Sequence, residues 1–465
     1  MSDAGEPAPE IRADSWRALL GHGHRGVVIV FAGGIGVFAM NTYLTAASLP
    51  SAIAEIGGQS LYAWVSTVYL LASVVASMTV TRVLQQAGPR GAYLWAFGLF
   101  GLGSAVCALS PTMPIMLCGR TIQGLGGGLL TGLAFAVVRV ALPEVLWLRA
   151  VGLFSAMWGV GNLVGPVTGG FFAQIGLWRG SFWLLVLVTV AVAVPVTRAI
   201  PERPPSTPAA QPLPLTSLLL VAAATAAVSV AAVVHTRSAT TLLVVIGVLL
   251  FGEFLVADRR RRIGLLPRLA FRIVNPLKWI YLSIAILAIG STSELFIPLF
   301  GQRIGGMSPF VAGLLGAALS WGWTVAQLVS STWATGRRAN AVRVVGPLAL
   351  AAGLTGYGLM QAYTSPVAMI GWFVTLGLAG TGIGMAFPHV AAAAMTITDD
   401  EAEAARASAG VNTVQMIANT FGTAAAGLLV SLGDSEVSSA RFLMFGFALL
   451  ALVGTVVGLR SLGRM

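Results

Sequence analysis

The chain is poor in charge and in the side chains that most enzyme sites need. Only 9% of its 465 residues are Asp, Glu, Lys or Arg, and it has two cysteines and four histidines, whereas 57% of its residues are apolar. That composition, with a mean hydropathy of +0.86, excludes a soluble globular domain of this length. Cys107 and Cys118 are better explained as small packing residues than as a disulfide pair.

Motifs of soluble catalysis are missing as well. The sequence contains no GxxxxGK[ST] loop, so ATP does not drive the protein directly. The glycine-rich stretch Gly124–Gly128 lies inside an apolar run, where a phosphate could not reach it. We find no HExxH motif and no cluster of metal-ligating residues, and we expect no enzymatic activity, no cofactor and no metal.

Long apolar runs make up most of the chain instead. Runs of about 18–25 apolar residues recur along it, which is the length that crosses a bilayer as a helix. Because the runs are continuously apolar rather than alternating, they exclude a β-barrel. The predicted fold class is an all-α polytopic membrane protein with fourteen spans, at residues 26–48, 61–82, 91–109, 113–136, 150–174, 181–199, 215–234, 240–257, 277–300, 309–333, 343–361, 366–388, 407–431 and 439–459.

The net charge of +11 is distributed unevenly over these spans. If the N-terminus is cytoplasmic, Arg120 lies within the membrane and four arginines lie outside, namely Arg179, Arg237, Arg303 and Arg441. All other basic residues then fall on the cytoplasmic side, as the positive-inside rule requires. The charge therefore indicates a multi-pass protein of the plasma (inner) membrane with both termini cytoplasmic, and not a nucleic-acid partner.

Six prolines between residues 200 and 216 forbid a continuous helix there and predict an extended linker. The linker separates two six-helix blocks. The predicted organisation is a cytoplasmic tail (1–25), a first six-helix bundle (26–199), the Pro-rich linker (200–216), two extra transmembrane helices (217–257), a basic cytoplasmic linker (258–276), a second six-helix bundle (277–459) and a cytoplasmic C-terminus (460–465).

The two bundles are related by a constant offset of 248 residues. The offset links four pairs of residues, Pro50 with Pro298, Tyr62 with Phe310, Gly88 with Gly336 and Arg90 with Arg338. Duplicated six-helix halves are typical of transporters whose substrate site lies near the midplane between the halves.

A glycine motif, GVGNLVGPVTGG, occupies the fifth span. Gly161, Gly165 and Gly169 recur every four residues, so one helix face lacks side chains and a neighbouring helix can approach closely. Pro166 removes a backbone hydrogen bond and permits a bend. Ordinary small-residue packing explains the four-residue spacing but not the full motif, which ends at Gly170.

At this motif the chain resembles the major facilitator superfamily, in particular its drug/proton antiporter branch with fourteen spans. Arg120, Gln123 and Gly124 resemble the family's RxxxG motif on the fourth span, and Trp178–Trp183 resembles its entry to the sixth span. The two extra helices between the halves also match. The resemblance implies transport by alternating access, with spans 1, 4, 9 and 12 lining a central cavity.

The chain also departs from that family. In the loop after the second span, Thr81 and Gln85 stand where the family has a glycine and an aspartate, and only Gly88 and Arg90 keep the pattern of the cytoplasmic gate. In the first span Asn41 replaces an aspartate and cannot carry a proton at ordinary pH.

These replacements leave Glu294 as the main acid inside the membrane. It lies ~9 Å below the outer end of the ninth span, and Arg120 lies ~10 Å below the outer end of the fourth, at 1.5 Å per residue. We expect Glu294 to carry a proton and Arg120 to tune it, because intramembrane charges tend to be functional and to pair or line water. The alternative is a structural acid held by Ser291, Thr292 or Ser293.

Other polar side chains in the spans are candidates for the substrate cavity. They are Asn41, Thr42, Tyr43, Thr45, Gln123, Ser291, Asn412, Gln415 and Asn419. The last three share one helical face and serve either as glue between helices or as substrate contacts. Four aromatic residues, Trp64, Trp321, Trp323 and Phe387, could add an aromatic wall but fit packing better, as does His389.

The sequence thus predicts a monomeric secondary transporter that exports amphipathic or drug-like molecules against proton entry, with small-molecule substrate, protons and lipid as its partners. A transporter or facilitator of one cellular metabolite or lipid, without proton coupling, is the alternative. A membrane sensor without transport activity is a minor one.

Overall fold

The computed structural model describes residues 16–21, 23–200, 202, 215–234, 236–261, 266–272, 275–330, 333, 337–395, 397–398 and 401–462. Most of the predicted N-terminal tail and Pro-rich linker, part of the basic linker, Gly336 and residues 463–465 lie outside the described residues. The predicted domain boundaries stay predictions.

The described chain is helical because a bilayer offers no partners to free backbone groups, so each apolar run satisfies its own. The helices longer than one turn are α1 Arg25–Ile56, α2 Tyr62–Leu109, α3 Met113–Ala141, α4 Glu144–Gln174, α5 Trp178–Ala193, α6 Leu215–Ala231, α7 Arg237–Arg260, α8 Leu277–Ser291, α9 Ile297–Arg303, α10 Pro309–Ser330, α11 Arg337–Met360, α12 Pro366–Met395, α13 Glu401–Ser431 and α14 Glu436–Leu462.

Twelve helices in the described ranges are long and apolar enough to cross a membrane. α2 supplies most of two of them, Gln59–Val80 and Arg82–Leu109, the second of which contains a kink at Gly88, and α8 and α9 count as one. The helix α4, where the fifth span is expected, and the 17-residue apolar helix α6 are not among the twelve. The prediction of a polytopic all-α protein is confirmed, and the count of fourteen spans stays a prediction.

Two bends follow from single residues. Gly88 has φ 67° and ψ 171°, a conformation that needs glycine, and Pro89 follows it, so α2 turns back there. Pro298 lies in the first turn of α9, and its ring would clash with the carbonyl of Glu294 in a continuous α-helix. The backbone adopts a 3-10 turn over Thr292–Phe296 instead. α1 and the α8–α9 pair both extend past the prolines, Pro50 and Pro298, that were expected to end those spans.

The helices form two groups that meet along two seams. α1 packs on α4, and α2 on α3, in the first group, while α11 packs on α12 and α14, and α10 on α12, in the second. The seams between the groups join α4 with α10 and α2 with α13. We call the face at which α1 begins the near face and the face at which it ends the far face.

A continuous buried cluster crosses between the groups toward the far face. It joins Leu49 and Tyr62 of the first group to Phe296 and Leu319 of the second. Large apolar side chains such as Leu187 remain exposed on the outside of the bundle, as a lipid-facing surface requires. The polar sites described next lie inside this frame.

Candidate transport site

Glu294 lies in the 3-10 turn between α8 and α9 and is 4% exposed. Both oxygens of its carboxylate accept the hydroxyl of Ser320 on α10, at 2.7 and 2.9 Å. The Tyr43 hydroxyl, from α1, lies beside Ser320 and Glu294. The acid is therefore buried where a helix of the first group meets two segments of the second.

The three hydroxyl residues that precede Glu294 do not hold it. Ser291, Thr292 and Ser293 each donate to the carbonyl three residues earlier, at 2.7–2.8 Å. Their hydroxyls serve the local helix, as short side chains in helices commonly do. The expectation that one of them anchors Glu294 is wrong, because that task belongs to Ser320.

Arg120 of α3 is 1% exposed and has several partners. Its Nε donates to the Val65 carbonyl at 3.0 Å, and Nη1 donates to Asn41 Oδ1 at 3.0 Å and to Gln123 Oε1 at 2.5 Å. The guanidinium carbon lies 4.2 Å from the ring centroid of Tyr69. All of these contacts are with α1, α2 and α3.

Arg120 and Glu294 do not pair in this structure. No ion pair joins these two described residues, because Arg120 bonds inside the first group of helices and Glu294 bonds across to α10. We expected the two residues to interact because they lie at similar depth in the membrane. Depth does not determine the direction in which each helix presents its side chains.

The glycine face of α4 packs directly on the backbone of α1. A Cβ built on Gly161 would lie 2.5 Å from the Ala39 Cβ, and one on Gly169 would lie 2.3 Å from the Leu44 carbonyl oxygen. One on Gly165 would lie 2.8 Å from Met40 O. Only a face without side chains allows two helices to approach so closely.

The last glycine of the motif and its proline face the second group. A Cβ on Gly170 would lie 2.9 Å from the Pro309 carbonyl, and one on Gly313 would lie 2.7 Å from the Pro166 carbonyl. The motif therefore joins α4 both to α1 and, across the seam, to α10.

Arg90 follows the bend at Gly88. Its Nε donates to the Ile200 carbonyl at 3.1 Å, and its Nη1 forms an ion pair with Glu202. These contacts tie the loop to the end of the first group of helices. The gating role of Gly88 and Arg90 stays a prediction.

Comparison with known proteins decides the family. The model of the Major Facilitator Superfamily matches residues 31–423. The chain belongs to this superfamily. The membrane setting and a small-molecule substrate follow from that membership.

Relatives of the chain include proteins named for efflux and export. A "probable multidrug-efflux transporter" of Mycobacterium tuberculosis is 42% identical over 97% of both chains. The "tetracenomycin C resistance and export protein" of Streptomyces glaucescens is 26% identical over 92% of this chain and 78% of its own length.

Solved structures show the same fold. A D-xylose-proton symporter superposes with a TM-score of 0.69 at 15% identity, covering 95% of this chain and 98% of its own. A transporter of the POT family superposes with the same score at 16% identity, over 94% of this chain and 95% of its own. At such identities the likeness concerns the fold alone.

The remaining predicted cavity residues of this facilitator are dispersed. Thr45 donates to Asn41 Oδ1 at 3.3 Å. On α13, Asn412 is exposed with its Nδ2 3.8 Å from the Met416 sulfur, while Gln415 and Asn419 are half-buried. The structure brings Asn41, Thr45, Gln123 and Arg120 together, and leaves the stripe on α13 apart from them.

The aromatic candidates mostly pack. Trp64 donates to the Ser229 carbonyl of α6 at 3.1 Å, and Trp323 stacks near Phe387 with centroids 6.0 Å apart. His389 Nε2 lies 3.1 Å from the Ser330 carbonyl. Cys107 and Cys118 are both free thiols, the first buried and the second exposed.

Sequence reasoning missed three polar residues. Ser320 and Tyr69 gave no signal, because a serine or tyrosine inside an apolar run is common. Asp258, at the near end of α7, is buried and accepts from Ser217 at 2.8 Å and from the Leu266 amide at 2.9 Å. It joins the two extra helices to the segment that follows them.

Proposed function

We propose that this member of the Major Facilitator Superfamily exports amphipathic, drug-like small molecules across the plasma membrane in exchange for protons. The printed names of two relatives, which describe multidrug efflux and tetracenomycin C export, support this function. The glycine motif on α4 supports a place in the drug/proton antiporter branch with fourteen spans.

The near face is assigned to the cytoplasm, and with it both termini. Lys278 and the run Arg259–Arg261 lie toward the near face, whereas Arg179 and Arg303 lie toward the far face. This distribution agrees with the positive-inside rule. The working unit is a monomer, since one chain supplies both groups of helices.

Glu294 carries the proposal of proton coupling. Its hydrogen-bond partner, the Ser320 hydroxyl, can donate to an ionised carboxylate and can accept from a protonated one. The site therefore supports both protonation states without a fixed counter-charge. Moving one charge through 100 mV supplies ~2.3 kcal/mol, which is enough to drive a modest substrate gradient.

The position of Glu294 would couple its charge to movement of the two groups of helices relative to each other. Ionisation leaves a charge in the 3-10 turn beside Tyr43 of α1, so it changes the energy of contact between the two groups of helices. Alternating access then follows, with protonation favouring one arrangement and deprotonation the other.

The test uses purified protein in proteoliposomes with an imposed pH gradient and the amphipathic fluorescent probe N-dansyl-phenylalanine. Glu294→Gln keeps the size of the side chain but cannot ionise, so gradient-driven accumulation should fall at least about tenfold while gradient-free exchange of the probe persists. The matched control is Glu253→Gln, which removes an exposed acid of α7. Protein-free vesicles give the passive background.

Accumulation by Glu294→Gln at the wild-type level would show that Glu294 does not couple the proton. The second candidate function is a transporter or facilitator of one metabolite or lipid without proton coupling, and saturable transport by the wild-type protein that does not depend on the pH gradient would favour it. The observation in its favour is Asn41, an amide bonded to Arg120 where relatives of this branch carry an acid.

A further inference from the structure

The guanidinium of Arg120 has no carboxylate among its described partners. Asn41 Oδ1, Gln123 Oε1, the Val65 carbonyl and the Tyr69 ring are all neutral. Arg120 is nevertheless 1% exposed. Buried charges in proteins are normally paired, so this cluster holds an uncompensated positive charge.

Two further donors point the same way. Asn41 Nδ2 and the Tyr69 hydroxyl are buried and have no hydrogen-bond partner in the described structure. Asn41 is 0% exposed and Tyr69 is 1% exposed. Asn41 turns its oxygen to Arg120 and Thr45, which leaves its Nδ2 protons free. The Tyr69 hydroxyl lies beside Asn41, but the two form no hydrogen bond of good geometry, and no described partner of the cluster is negatively charged. An acceptor with negative charge would balance Arg120 and accept from both donors.

α1 has one accessible position beside this cluster. Between Gly34 and Leu49 every residue of α1 is buried except Thr42, which is half-buried. Asn41 and Thr42 lie beside the Tyr69 hydroxyl. A lipid-facing stripe would recur every three or four residues, so a single accessible position indicates an internal space next to the donors.

We propose that Arg120, Asn41 and Tyr69 form a binding site for a carboxylate carried by the transported molecule. The proposal rests on the proposed transport function and deepens it, because it specifies an acidic group in the substrate. The Nε proton and both Nη1 protons of Arg120 bond to Val65, Asn41 and Gln123, so its two Nη2 protons are left for a carboxylate oxygen. A single arginine suits a monoanion.

Asn41 keeps this site available. An aspartate at position 41 would pair with Arg120 and neutralise it, so the amide leaves the charge for a ligand. Glu294 does not take that place, because its carboxylate is bonded to Ser320 on α10.

The experiment is equilibrium binding to purified protein without any pH gradient. The probes are N-dansyl-phenylalanine and its carboxamide, which differ only at the carboxylate. Wild-type protein should bind the carboxylate at least about tenfold more tightly than the amide. Asn41→Asp should remove this preference, and Tyr69→Phe should weaken carboxylate binding about threefold or more.

Two variants serve as controls. Asn340→Asp adds the same charge at an exposed position of α11 and should keep the preference. Glu294→Gln should also keep it, so a failure of proton coupling stays distinguishable from a failure of this site. Thermal unfolding of each variant confirms that it is folded.

Equal affinity of wild-type protein for the two probes would overturn the proposal. So would a folded Asn41→Asp variant that retains the preference for the carboxylate, since Arg120 would then have only a structural role. If Asn41→Asp does not fold, two other results together overturn the proposal. Tyr69→Phe would keep the preference for the carboxylate, and Arg120→Gln would bind the carboxylate probe as tightly as the wild-type protein does.

Discussion

At the scale of single residues, the hydroxyl of Ser320 determines what Glu294 can do. A lysine or arginine in its place would hold the carboxylate ionised, and an apolar residue would leave the ionised form without a donor. A hydroxyl does neither, because it reverses its role when the proton arrives. In the proposed mechanism Tyr43, whose hydroxyl lies beside both residues, transmits the change to α1.

Replacing Ser320 by alanine should impair coupling. A hydrogen bond to a charged group contributes about 1.5–3 kcal/mol, so the ionised form of Glu294 becomes rarer by roughly ten- to a hundredfold. We expect pH-gradient-driven uptake of N-dansyl-phenylalanine in proteoliposomes to fall about tenfold. The control is Thr324→Val on the same helix, since the Thr324 hydroxyl bonds only to the backbone carbonyl of Ser320. Equal loss in both variants would contradict a specific role for Ser320.

The identity of these residues could be predicted in part from the sequence. Glu294 stood out because an acid inside an apolar run is costly. Its partner could not be found, since Ser320 lies 26 residues away on another helix, and Asn41 lies 79 residues from Arg120. Which side chains meet depends on the rotation of each helix, and a hydrophobic run without polar stripes leaves that rotation open.

At the scale of elements, α4 is the helix that touches both α1 and α10. Its glycines bring backbone against backbone on the α1 side, and Pro166 and Gly170 meet the second group. The four-residue spacing in the sequence is sufficient to predict the close approach. It does not reveal the neighbour, because any helix could occupy a face without side chains.

Gly169→Ala should disrupt this packing. The added Cβ would lie 2.3 Å from the Leu44 carbonyl oxygen, an atom of the backbone that cannot rotate away. Overpacking of this kind costs about 1–3 kcal/mol, so the melting temperature in detergent should fall measurably. Gly252→Ala on α7 is the matched control, because nothing lies within 4 Å of its added Cβ. A Gly169→Ala variant as stable as Gly252→Ala would show that the helices separate at low cost.

The ninth predicted span shows a limit of pattern reasoning at this scale. Its apolar run indicates one continuous helix over 277–300, yet the structure has α8, a 3-10 turn and α9. A proline can either end a helix or distort it. The packing of α10 and α2 around the turn decides between them.

At the scale of the whole molecule, the contacts between the groups close the far face. The Tyr62 hydroxyl donates to the Leu295 carbonyl at 2.9 Å, and Arg303 bonds to Gln59 at 2.6 Å. Arg303 also pairs with Glu436 at 2.6 Å. In the proposed orientation this arrangement is closed toward the outside, and transport requires these contacts to break.

Fixing the far face should therefore stop transport. A double variant, Gln59→Cys with Arg303→Cys, can be bridged by a short bis-methanethiosulfonate reagent. We expect bridged protein to lose probe uptake in proteoliposomes and to regain it after reduction. Each variant with only one of the two introduced cysteines, treated in the same way, controls for modification alone, including that of the exposed Cys118. Undiminished uptake by the bridged protein would show that the far face does not open during transport.

Because the Tyr62 hydroxyl bonds to the Leu295 carbonyl, opening of the far face requires water to reach that carbonyl. In a 3-10 turn the Leu295 carbonyl would accept from the N–H of residue 298, but Pro298 has none. The Tyr62 hydroxyl donates to this carbonyl instead, and Tyr62 belongs to the other group of helices. When the groups separate, that carbonyl must be hydrated, because an unsatisfied carbonyl inside a membrane costs several kcal/mol. The water that replaces Tyr62 arrives one residue from Glu294. In the proposed exchange cycle, the movement that opens the far face therefore also brings a proton source to the carboxylate.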